Sequence, residues 1–153
     1  MKIETIGLTV ALCFLTVAAG FAADPEMGTW KLNEAKSKLG PGPKNHTVVY
    51  EAAGDSVKVT VDGTDKDGKA THNEWTGKFD GKDYPVTGDS TSDMRAYTKV
   101  DAHTLKLTTK NNGKVTGTGK VVVAADGKSR TVTVSGTDAE GKKFKSVAVY
   151  DKQ

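Results

Sequence analysis

Val57-Lys58-Val59-Thr60-Val61-Asp62, followed shortly by Asp67-Gly68-Lys69, decides the fold of this chain. Three valines alternate with Lys, Thr and Asp, the period of two expected of a half-buried strand. The Asp-Gly pair then marks a tight reversal, because both central positions of a two-residue hairpin turn take positive φ, which Asn, Asp and Gly tolerate. The same punctuation recurs at Asp80-Gly81-Lys82, Asn112-Gly113-Lys114, Asp126-Gly127-Lys128 and Glu140-Gly141-Lys142. Strand therefore follows strand by reversal, and the expectation is an antiparallel meander.

Working outward from this stretch, Gly28 to Leu32 reads as a first strand with Trp30 and Leu32 on one face. Asn33 caps a short helical turn through Ser37, since its side chain can accept the free amides that follow. Leu39-Gly40-Pro41-Gly42-Pro43 then forbids regular structure and makes the longest loop, the kind of segment that carries function. Further strands are expected at 47–52, 70–79, 94–100, around Leu105 and Leu107, at 115–124, around Val132 and Val134, and around Val147 and Val149. The run 84–90 is broken by Gly and Pro and reads as irregular. About nine runs at this spacing mean an all-β barrel or sandwich. Hairpins between neighbours favour an up-and-down barrel of about 8–10 strands, because closure removes the exposed edges.

The first residues do not belong to that fold. Met1-Lys2, the apolar run Ile6 to Phe21 and small residues at Gly20 and Ala22 read as a secretory signal peptide over residues 1–22. Residues 23–153 then form a single domain, and no stable membrane span remains after cleavage. The one cysteine, Cys13, lies inside the apolar run behind Leu12, which excludes a lipoprotein site. The mature chain has no cysteine and depends on its own core. Loss of Lys2 with Glu4 leaves the net charge at +3. No basic stripe interleaved with aromatics appears, so nucleic acid is not an expected partner.

Chemistry-bearing residues are sparse. His46, His72 and His103 fall on three separate strands without zinc spacing, and neither a metal nor another cofactor is expected. His72 and Glu74 share a face opposite Trp75 and read as solvated surface. Asp62 to Gly68 resembles a calcium loop but has Gly63 where the opening Asp must stand. Arg95 and Tyr97 share one face of their strand and Met94, Ala96 and Val100 the other; the apolar set reads as core, which puts Arg95 and Tyr97 outside. No nucleophile elbow, phosphate loop or metalloprotease helix occurs, and no enzyme is expected.

Gly28-x-Trp30 on the first strand, ahead of a loop and a meander of about eight strands, resembles the lipocalins and the wider calycin group. The resemblance implies an extracellular or periplasmic carrier whose barrel admits a small apolar molecule. It also implies that Trp30 closes the barrel floor with a basic side chain across it, for which Arg130 is the candidate, in phase with Val132 and Val134. The cytosolic fatty-acid-binding proteins share the plan, and Ala148-Val149-Tyr150-Asp151-Lys152 resembles their last strand. Ala148 stands where that family has its carboxylate-binding Arg, however, and the Asn33 to Asn45 connection is too short for their two-helix lid.

The expectation is therefore a secreted or periplasmic, monomeric, lipocalin-like barrel that binds a small hydrophobic or amphipathic ligand. Its interior is expected to be lined by Trp30, Val59, Trp75, Phe79, Leu105, Leu107, Val121, Val132 and Val149, with Leu39 to Asn45 over the mouth. The rival is a non-enzymatic structural or interaction module of the cell envelope with a filled barrel.

Overall fold

The computed structural model describes residues 24–153; the signal-peptide reading falls outside them. Ten strands form one closed antiparallel barrel. In chain order they are β1 (Gly28–Leu32), β2 (Lys44–Ala53), β3 (Ser56–Thr64), β4 (Ala70–Gly77), β5 (Tyr84–Thr87), β6 (Met94–Asp101), β7 (Thr104–Asn111), β8 (Lys114–Val123), β9 (Ser129–Thr137) and β10 (Lys143–Lys152). Each pairs with its sequence neighbours, and β1 closes the ring by pairing with both β2 and β10. One 3-10 turn, Glu34–Lys36, follows β1, and the Asn33 side chain accepts the Lys36 amide at its start.

The tenth strand is β5, inside the run that sequence alone reads as irregular. It is four residues long and holds only two residue pairs with each neighbour. Pro85 removes one donor from a ladder this short, so no periodic signal survives.

The turns differ from a uniform set of two-residue hairpins. Only Asn112-Gly113 has positive φ at both central positions, 50° and 77°. Asp67-Gly68 and Glu140-Gly141 end longer loops that open on Asp65 and Asp138, whose Oδ1 atoms accept the amides of residues two and four positions on. Asp80-Gly81 is not a strand-to-strand hairpin: Gly81 donates its amide to the Tyr97 carbonyl at 2.8 Å, within the β4–β5 connection.

Register decides which face of each strand is inside, because directly opposed residues share a face. Tyr97 opposes Leu107 and Lys99 opposes Leu105. Since Leu105 and Leu107 are core, Arg95 and Tyr97 point inward, at 8% and 4% exposure. The exterior placement read from sequence is thus reversed; Met94 and Val100 are the exposed residues, at 37% and 56%. The same rule corrects Val149. Val132 and Arg130 face inward and oppose Ala148 and Tyr150, so these two are interior and Val149 is exterior. Val147 and Val149 are apolar for another reason. The β1–β2 connection straps across them, with Lys38 bridging Val147 and the Asn33 amide donating to the Val149 carbonyl at 2.8 Å.

Candidate functional site

The barrel has a sealed base and a hollow upper half. At the base, residues 24–27 fold under the strands. Trp30 is fully buried and donates from Nε1 to the Glu26 carbonyl at 2.9 Å. The Lys99 ammonium pairs with Asp24, and the Lys152 ammonium donates to the Pro25 carbonyl at 3.3 Å. Val57, Val59, Trp75 and Leu105 complete a base that water does not reach. Phe79, just beyond β4, is half-buried; its ring stacks on Trp75 at 6.4 Å and meets Tyr97 edge-on at 5.8 Å.

A buried ion pair lies in this base. Arg130 Nη1 is 3.5 Å from Glu26 Oε2, and both side chains are 1% exposed. The guanidinium is caged by aromatic rings, with Trp30 and Tyr50 each at 4.7 Å and Tyr150 at 5.1 Å. Burial pushes the Glu26 carboxyl up to about 7 against the opposing pull of Arg130. The Tyr150 phenol is likewise raised by burial, to about 12, although Arg130 lowers it.

Above the base a cavity of about 470 Å³ opens at the end where the β1–β2, β5–β6 and β9–β10 connections meet. Residues 39–45 all border it. Gly40 lets this loop lie flat on β10, since a Cβ there would stand 2.8 Å from the Lys145 carbonyl oxygen. The wall is two-sided in chemistry. Val48, Val61, Leu107, Val132, Val134 and Phe144 make an apolar side, while Asn73, Arg95, Tyr97, Thr109, Asn111 and Ser146 are polar.

Arg95 is one of six charged residues on the wall, with Lys44, Asp65, Asp89, Arg130 and Asp138. Its Nη2 donates to Asn73 Oδ1 and to Asp89 Oδ2, both at 3.3 Å, and Trp75 Nε1 holds the strand by donating to its carbonyl at 2.9 Å. Burial acts to raise the Asp89 carboxyl, but hydrogen bonds from the Ser92 hydroxyl and from the hydroxyl and amide of Thr91, with the Arg95 charge, hold it below the usual carboxylate range.

Of the residues expected to line the interior, Leu107, Val121 and Val132 border the cavity. Trp30, Val59, Trp75 and Leu105 belong to the sealed base, Phe79 packs against that base, and Val149 is outside. His72 and Glu74 are on the outer face, where His72 Nδ1 meets Asp62 Oδ1 at 2.6 Å and Glu74 Oε1 accepts from Lys58 at 2.8 Å. Asp62, chiefly through its hydrogen bond, raises the His72 pKa. Among the described residues no group of three or more His, Cys, Asp or Glu could hold a metal.

Sequence reading missed Asn73, Arg95, Tyr50, Tyr97 and Tyr150. Asn73 and Tyr50 were within reach, since they keep phase with Trp75 and Val48. Arg95 and Tyr97 needed the cross-strand register.

No protein-family model matches this chain, and no curated protein matches it. Several solved chains are similar to it, two of them as follows. One is the structure of EF1p2_mFAP2b bound to DFHBI, with a TM-score of 0.49 and 11% identity, over 86% of this chain and 97% of that one. The other is a redesigned β-barrel, mFAP1, bound to DFHBI, with a TM-score of 0.45 and 17% identity, over 86% of this chain and 98% of that one.

Proposed function

We propose that this chain is a secreted or periplasmic carrier, a lipocalin-like monomer that holds a small amphipathic molecule inside its barrel. The observation that carries the reading is the cavity of about 470 Å³, open at one end and closed at the other. That volume lies in the range of small-molecule sites, and its apolar wall with a few fixed polar groups suits one oriented ligand. A cavity of this size speaks against the filled-barrel module. Gly28-x-Trp30, with Arg130 over the indole at 4.7 Å, supports the lipocalin-like assignment. The outer face supports an aqueous setting: Lys106 and Lys120 are exposed on it and Lys58 is half-buried there, and charges at mid-strand are costly on a lipid-facing barrel.

The reading includes no catalysis. Glu26, the buried carboxyl with the largest upward shift, has both oxygens sealed in the base and does not border the cavity.

Native mass spectrometry of the protein secreted from the full-length chain, with solvent extraction of whatever dissociates, tests this. A stoichiometric small-molecule adduct on a chain that begins at or near Ala23 is the expected result. A protein that retains its first 22 residues defeats the secreted assignment. A barrel that neither carries an adduct nor takes up any small amphipathic dye defeats the carrier reading.

A further inference from the structure

We propose that the molecule held in this cavity is a monoanion, an amphipathic carboxylate whose acidic group is seated between Arg95 and Arg130. This rests on the carrier reading and adds the chemistry of the ligand.

The two guanidinium groups are under-used by the protein. Arg95 spends Nη2 on Asn73 and Asp89, and the Tyr97 phenol is the other polar group against its guanidinium. Asp89 has little left to offer, because its two oxygens already accept the Thr91 amide and hydroxyl and the Ser92 hydroxyl at 2.7–2.8 Å. Arg130 is 2% exposed and makes no hydrogen bond among the described residues. Its Nε and Nη1 are sealed in the base, and it borders the cavity floor, so Nη2 is the nitrogen turned to the cavity. Glu26 lies on the Nη1 side, and with its carboxyl raised to about 7 it neutralises Arg130 only in part near neutral pH.

Tyr50 and Tyr97 bridge the two cations. The Tyr50 ring carries Arg130 at 4.7 Å and meets Tyr97 edge-on at 6.4 Å, and Tyr97 is two residues along β6 from Arg95. Both phenols are buried and border the cavity, and the Tyr97 phenol lies close enough to interact with both the Tyr50 phenol and the Arg95 guanidinium. Polar groups clustered beside two cations at a cavity wall make a charged acceptor the fitting partner. Lys44, Asp65 and Asp138 also border the cavity, but the most buried charges on it are Arg95, Arg130 and Asp89; with Glu26 protonated these leave roughly one positive charge, which matches a monoanion better than a dianion. The apolar wall of Val48, Val61, Val132 and Val134 then takes the body of the ligand.

The test titrates the folded protein with the neutral fluorescent reporter N-phenyl-1-naphthylamine at pH 6, where Glu26 is mostly protonated, and displaces it with decanoate, decan-1-ol and decyltrimethylammonium. Decanoate should displace the reporter at a concentration at least about tenfold lower than decan-1-ol, with the cation weaker than both. Arg95→Gln, which keeps a side chain able to bond Asp89, should bring acid and alcohol to within about twofold of each other. Equal displacement by acid and alcohol in the natural protein overturns the proposal and leaves the carrier reading in place. A preference for acid that survives in Arg95→Gln also overturns it. Failure of the reporter and all three competitors to bind overturns both. If Arg95→Gln does not fold, the acid-to-alcohol ratio of the natural protein decides alone.

Discussion

The base and the mouth of this barrel use similar residue types for opposite ends. At the base, Trp30 and Trp75 are 0% and 1% exposed, each indole nitrogen donates to a backbone carbonyl, and the Arg130–Glu26 ion pair is shut away from water. At the mouth, Tyr50, Tyr97 and Arg95 are almost as buried, yet several of their donors meet a cavity. An aromatic or an arginine therefore does not signify structure or function by itself. What separates the two roles is whether neighbouring side chains or empty volume stand opposite its polar atoms. The base should respond to mutation in stability, and the mouth in binding.

The largest effect is expected at the base. Trp30→Ala removes a fully buried indole together with its hydrogen bond to Glu26, and should cost about 3–5 kcal/mol in chemical denaturation. A loss comparable to a surface substitution would break the contrast between the two ends.

Next comes the pH response of Glu26. Its carboxyl rises from 4.5 to about 7 on folding, so between those values the folded state holds a proton that the unfolded state has released. The stabilisation is fully present below about pH 4.5 and is lost as pH rises through 7. Over that window it amounts to about 3 kcal/mol, at about 1.4 kcal/mol for each unit. Thermal melts from pH 4.5 to 8 should show this decline, and Glu26→Gln should flatten it. A decline of equal size in the variant would place the titrating group elsewhere.

The mouth should show the converse. Val134→Trp fills cavity space without touching the base. It should weaken reporter binding about tenfold or more while changing stability by about 1 kcal/mol or less. A variant that loses stability and keeps binding would reverse the assignment of the two ends.

The smallest effect is expected on the outer wall. His72→Ala removes an exposed pair with Asp62, and should leave both melting temperature and reporter affinity unchanged within error. In the natural protein an NMR titration should find the His72 pKa above its ordinary value, because of Asp62.

How much of this was legible in advance differs from element to element. Valine alternation in β3 announced both the strand and its inner face, because Lys58, Thr60 and Asp62 leave no second apolar option. β6 and β10 were misread for one shared reason: each carries apolar residues on both faces. Met94 and Val100 are exposed, and Val147 and Val149 lie under a strap, so hydrophobicity alone pointed the wrong way. β5 was invisible because four residues around a proline hold no period.

The sequence by itself determined that this chain is a meander of antiparallel strands closed upon itself, since local alternation and turn chemistry act over a few residues and are written in order. The tertiary structure alone decided which side of β6 and β10 faces inward, how far the base packs upward, and that Arg95, Arg130, Tyr50 and Tyr97 meet around one cavity. Those outcomes depend on cross-strand register and on ring closure. They join residues far apart along the chain, such as Tyr50 with Arg130 across the cavity floor and Trp30 with Lys152 at the closing pair, and no local pattern encodes such distances.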